Sequence, residues 1–144
     1  AIVNAYKEDN EIIIESFLDG TEVSVGVINY QGKITVLPIT EIVSENDFFD
    51  YEAKYLGKSQ EITPARISDE MTAKVSAVAK RVYEVLKMTG FSRSEYIIVN
   101  GEPHLLEVNT IPGLTTESLI PQQAKAAGIS LTDLFSNAIE LALN

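Results

Sequence analysis

At 144 residues, 45% of them hydrophobic and 22% charged, the chain has the size and composition of one globular domain with room for a core. No cysteine and a single histidine, His104, exclude disulfides, thiolate metal sites and a histidine-rich zinc site, so any metal is expected to bind through oxygen. A formal charge of −10 argues against nucleic acid, and the lack of a long apolar run or a basic-then-apolar start argues against a membrane span or a secretory signal, which makes the cytoplasm the expected compartment.

Residues 1–8, AIVNAYKE, read as the tail of a helix, so the chain is expected to begin in mid-structure. Asp9-Asn10 turns into the run EIIIESFL, taken as a first strand. After Asp19-Gly20, residues 21–30 alternate with Val23, Val25 and Val27 on one face, turn at Gln31-Gly32, and resume as KITVLPI, so three consecutive strands predict an antiparallel sheet. Within this part, IESFLDGTE sets Glu15, Phe17, Leu18 and Glu22 around a tight turn. Such a flat apolar slot beside two acids suits a nucleotide base and ribose hydroxyls, and it also suits an ordinary strand-turn-strand.

From Ser44 to Arg66 the periodicity disappears and the sequence predicts a long loop, in which Lys54 stands among Phe48, Phe49, Tyr51 and Tyr55 as either a phosphate contact or a solvated lysine. Ser68 then reads as the N-cap of a helix buried through Met71, Val75, Val78, Ala79, Val82, Val85 and Leu86 and stopped by Gly90. Two strands, 94–99 and 104–108, follow around Asn100-Gly101.

The loop of that hairpin decides its chemistry. With two residues in the loop, odd positions face even ones and Glu95 and Glu107 fall on opposite faces. With three, Gly101 taking a left-handed bulge position, Arg93, Glu95, Glu107 and Asn109 share one face and offer the hard oxygen set that Mg²⁺ prefers. Beyond it, residues 113–118 open a short helix from about Leu119 to Gly128 and either bind an anion through free N–H groups or simply cap the helix. Ser130 to Asp133 forms a capping box for a final helix whose predicted buried stripe is Leu131, Leu134, Phe135 and Ala138. The order predicts one α+β domain, mainly antiparallel sheet flanked by helices.

Three stretches, FFDYEAKY (48–55), Phe91-Ser92-Arg93 and LLEVNTIPGLTTESLIP (105–121), fall in an order that resembles the C-terminal part of D-alanine–D-alanine ligase, an ATP-grasp family of peptidoglycan synthesis, and the resemblance covers essentially all 144 residues. It implies an ATP-grasp C-terminal domain over residues 1–144, with residues 1–40 including the end of the central ATP-binding subdomain, and with the family's N-terminal domain and Gly-rich loop having no counterpart in this sequence. It further implies that Glu15, Phe17 and Leu18 line the adenine pocket, Glu22 holds the ribose, and Lys54 touches the ATP phosphates beneath a loop carrying Tyr55. Glu95, Glu107 and Asn109 would bind Mg²⁺ or Mn²⁺, Arg93 and the Gly113 N–H would stabilise charge at the reacting centre, and Ser118 with Leu119 would receive the carboxylate of the second D-alanine. The implied reaction has two steps. ATP phosphorylates the carboxylate of one D-alanine, and the amine of another then displaces phosphate. The family suggests a homodimer in the bacterial cytoplasm, and this chain is expected to act only with the rest of the ligase chain. One departure stands out: the family reads Arg-x-Asp where this sequence reads Arg93-Ser94-Glu95. A stand-alone nucleotide-binding or scaffold module, or another ATP-grasp carboxylate–amine ligase, is the competing reading.

Overall fold

A computed structural model describes residues 1–44 and 59–143. After a one-turn helix α1 (Ile2–Ala5), the fold is organised around β1 (Thr21–Tyr30), which is buried on both faces from Val23 to Ile28. Its valines point one way and Ser24, Gly26 and Ile28 the other, because side chains alternate along a strand. Gln31 and Gly32, both with positive φ (50° and 74°), form the two-residue turn into β2 (Lys33–Val36). The first half of β1 pairs instead with β3 (Thr40–Ser44), and β3 pairs with β4 (Ser59–Ile62). On its other edge β1 runs antiparallel to β5 (Phe91–Val99), which is joined in turn to β6 (Glu102–Asn109). The strand order is β4-β3-β1-β5-β6, with β2 also on β1 and every pairing antiparallel, as the α+β expectation holds.

Helix α2 (Asp69–Val85) covers one face of the sheet. The Ser68 hydroxyl accepts from the Met71 N–H at 3.2 Å, and Val75, Ala79 and Tyr83, one turn apart, bury against Val23, Val25, Val27, Ile39 and Tyr96. The opposite face is closed by α3 (Leu119–Ala126) and α4 (Leu131–Leu143), whose Ile120, Ala124 and Leu134 cluster with Ile28 and Leu37.

Five expectations need correction. The run EIIIESFL is not a strand: no described strand lies alongside it to take its backbone hydrogen bonds, and Ile13, Ile14 and Phe17 are 84%, 74% and 72% exposed. KITVLPI breaks after the Leu37 N–H reaches the Gly26 carbonyl (2.8 Å), because Pro38 lacks a ladder donor, and the chain resumes along the same edge of β1 as β3. Residues 59–62, expected within a loop, form a strand because β3 offers them an edge. Helix α2 is stopped by Lys87, not Gly90: Lys87 takes a left-handed φ of 52° and the Met88 N–H reaches the Tyr83 carbonyl at 3.0 Å. In α4, Phe135 faces outward. Asn137 fixes the helix's rotation by accepting from the Gln31 N–H (2.9 Å) and donating to the Asn29 carbonyl (2.6 Å), which turns residues 134, 138 and 141 inward.

Candidate functional site

The β5–β6 hairpin answers the question of parity in an unforeseen way. Asn100 and Gly101, with φ of 51° and 79°, make a two-residue turn, so Val99 faces Glu102 and odd positions begin opposite even ones. Between Tyr96, which faces Leu105, and Glu95, which faces Glu107, the register shifts by one and Leu106 is the extra residue. This bulge reverses the parity. Arg93 now faces Asn109 and Glu95 faces Glu107, so the four side chains do share a face, through a bulge in mid-strand and not a three-residue loop.

The neighbouring strand extends that face. Glu22, Ser24 and Gly26 of β1 lie opposite Ile97, Glu95 and Arg93. Three rows result: Glu22–Ile97–His104, then Ser24–Glu95–Glu107, then Gly26–Arg93–Asn109, each about 7 Å from the next at two residues per step. Arg93 donates through Nη2 to Glu95 Oε1 at 2.8 Å, with side-chain exposures of only 15% and 21%. The Arg93 Nε–H and the Ser24 hydroxyl are buried without a hydrogen-bond partner among the described residues. Among the described residues no group of three or more Asp, Glu, His or Cys is gathered tightly enough to hold a metal by itself. Two carboxylates and an amide oxygen on one face nevertheless fit a magnesium ion that takes its remaining oxygens from phosphate and water.

Asn109 Oδ1 accepts from the Ile111 N–H at 3.0 Å, closing a turn that carries the chain from β6 into the 112–118 loop. Gly113 lies directly on Ser118, where an added Cβ would be 2.7 Å from the Ser118 hydroxyl. That hydroxyl bonds to the Thr115 hydroxyl (2.9 Å) and makes no cap bond to α3, so Ser118 opens the helix with its side chain turned into the loop. Gly113 and Ser118 are therefore brought together. Leu119 is 7% exposed, its side chain committed to the core, so its N–H is the part that can meet a ligand.

Of the residues expected at the nucleotide, Glu15 and Phe17 are exposed and Leu18 half-buried on the extended 11–18 segment. Gly20 ties that segment to the end of β5, since a side chain there would collide with the Ile98 carbonyl. Lys54 and Tyr55 lie outside the described residues. Sequence reasoning missed Gln123, which is fully buried between Gly26, Ser24 and Thr40. Its signal was a lone glycine in the valine strand, at a point where another element comes close.

Residues 1–140 match the family described as D-ala D-ala ligase C-terminus. The chain is 84% identical over 143 residues to the D-alanine–D-alanine ligase of Flavobacterium johnsoniae, matching 99% of this chain and 44% of that protein. Its fold superposes on the crystal structure of D-alanine–D-alanine ligase from Bacillus anthracis with a TM-score of 0.78 at 33% identity, over 99% of this chain and 46% of that one. The same enzyme complexed with ATP gives 0.73 at 30% identity, over 90% and 40%. The chain thus spans less than half the length of the relatives it matches.

Proposed function

The chain belongs to the D-alanine–D-alanine ligase C-terminal family, and from that premise we propose that it is the ATP- and acceptor-binding half of a longer protein that joins two D-alanines for peptidoglycan synthesis. The observation that carries this reading is the order of the three rows. Glu22, assigned to the ribose, lies in the row before that of the Glu95–Glu107 pair, about 7 Å along the strands and displaced sideways onto β1. The pair stands one row from Arg93 and Asn109, so a nucleotide laid across that face presents ribose, phosphates and reacting centre in the same order.

Glu15, Phe17 and Leu18 form the adenine side. Glu95, Glu107 and Asn109 would hold Mg²⁺ or Mn²⁺, which neutralises phosphate charge when bound, and Lys54 is assigned to the phosphates and Tyr55 to the catalytic set. Arg93 is held in place by Glu95 and keeps its Nε–H unspent, so it can donate to oxygen that gains charge during the reaction. Gly113 contributes a backbone N–H to the same charge. Its lack of a side chain is what lets the loop lie against Ser118, whose hydroxyl, with the Leu119 N–H, receives the acceptor carboxylate. Glu95 in place of the family's aspartate fits this arrangement, because the longer side chain folds back onto Arg93.

The remaining ligase chain, a second copy in a homodimer and the bacterial cytoplasm complete the proposal. Among the described residues no helix is long and apolar enough to cross a membrane. The test is ATP-dependent phosphate release and dipeptide formation by the full-length protein with D-alanine, D-lactate or L-alanine offered. D-Alanyl-D-alanine is the expected product, with none from the isolated 144-residue chain above a no-protein control. Turnover confined to L-substrates would overturn the reading.

A further inference from the structure

Strand β1 changes partners in its middle: β3 pairs with Glu22 to Ser24, β2 pairs with Val27 to Tyr30, and between them that edge is served by the Leu37 N–H at the Gly26 carbonyl alone among the described backbone groups. Two of the backbone groups at that gap, the Ser24 carbonyl and the Gly26 N–H, lie in the protein interior, where leaving them unpaired is costly. Gln123 fills the gap from α3. Its Oε1 accepts from the Gly26 N–H at 2.8 Å, and its Nε2 donates to the Ser24 carbonyl and the Thr40 hydroxyl, both at 2.9 Å. The carboxamide thus stands in for a peptide group of the missing strand, and its residue is 0% exposed. Gly26 makes the approach possible, because a Cβ there would sit 2.6 Å from both Gln123 Oε1 and the Ile120 side chain.

Ser24 and Gly26 are also the cross-strand partners of Glu95 and Arg93. Gln123 therefore fastens α3 to the strand beside the metal and charge-stabilising residues, about 7.5 Å along the helix axis from Ser118. Ser118 in turn abuts Gly113. We infer that Gln123 is a positioning residue for the acceptor subsite: its three hydrogen bonds fix α3, and with it Ser118 and the Gly113 loop, over the Arg93–Glu95 pair. This rests on the ligase reading above, with Ser118 and Leu119 receiving the second D-alanine.

The test uses the full-length protein with Gln123→Met, which keeps the volume and loses all three bonds, and with Thr40→Val, which loses one of them. Steady-state rates are measured against ATP and D-alanine at a temperature where circular dichroism shows each variant folded. For Gln123→Met the KM of the second D-alanine rises about tenfold while the KM for ATP stays within about twofold, a split expected of a displaced acceptor site. Thr40→Val gives a smaller rise of the same kind, and it carries the test alone if Gln123→Met does not fold. A lower melting temperature with the acceptor KM unchanged in the folded variants, or with both KM values raised equally, would overturn the inference and leave the ligase reading intact. A wild-type protein that makes no D-alanyl-D-alanine would instead remove both.

Discussion

The two faces of the sheet are built by the same strands to opposite ends. Under α2 the contacts are dry: Val23, Val25, Val27, Val75, Ala79, Tyr83 and Tyr96 are all at most 2% exposed. On the opposite face the same strands present Ser24, Gly26, Arg93 and Glu95, together with a buried glutamine. Among the described residues each face keeps two buried polar atoms without a hydrogen-bond partner: Ser24 Oγ and Arg93 Nε here, Tyr96 Oη and Asn29 Oδ1 on the valine side. Unpaired buried polar groups cost stability, typically about 1–3 kcal/mol each. Both faces carry that cost, so what separates them is the kind of side chain, a packed apolar layer of valines and aromatic rings on one and a charged Arg93–Glu95 pair beside small residues on the other, and alternation along β1 and β5 is what lets one sheet do both.

Two substitutions test whether this division is real. Tyr83→Ala on the dry face removes a fully packed ring and its 2.9 Å bond to the Gly90 carbonyl, and should cost about 3–5 kcal/mol in urea unfolding of the isolated chain. A loss below 1 kcal/mol would mean that the α2 face is not the main source of stability. Glu107→Gln on the other face touches an exposed side chain, so it should leave the unfolding midpoint nearly unchanged. In the full-length protein it should lower turnover at least about 100-fold, because even the outer partners of a metal site commonly cost about 10–100-fold. Comparable losses of stability and turnover would blur the two faces into one.

Much of this division was readable in the sequence, and its failures have physical causes. The valine alternation of β1, the Ser68 cap, the Gln31-Gly32 turn and the Ser130–Asp133 cap are local patterns, and each formed, the last through the Asp133 N–H on the Ser130 hydroxyl at 3.1 Å. The shared face of Arg93, Glu95, Glu107 and Asn109 could be posed only as a choice, because the bulge at Leu106 answers to the whole hairpin and has no glycine or other mark of its own. EIIIESFL has the composition of a strand, but strand formation needs a neighbour, which composition does not supply. Gln123 was unreadable for a related reason: its partners are 83 to 99 residues away, and only the fold reveals that β1 has a gap for it.

The mildest test concerns a charged group at the margin of the dry face. Glu41, opposite Val23 in the β1–β3 ladder, accepts from Arg66 at both carboxylate oxygens, each at 2.8 Å, and also from the Arg66 N–H at 3.2 Å. These hydrogen bonds hold the Glu41 carboxyl below its ordinary pKa, against the opposing pull of burial. A carboxylate with a lowered folded-state pKa adds stability that is fully present above its unfolded value and is lost as the pH falls through the folded one. Arg66→Ala should therefore unfold at lower urea than the wild type at pH 7, and the gap should narrow below about pH 4.3, where the unfolded carboxyl begins to take up its proton. Arg66 is 61% exposed, so the gap at pH 7 should be the smallest of these effects. A gap that stays constant as the pH falls through the carboxylate range would show that Arg66 contributes by packing its methylenes against the sheet, and the dry face would then extend to its margin without help from charge.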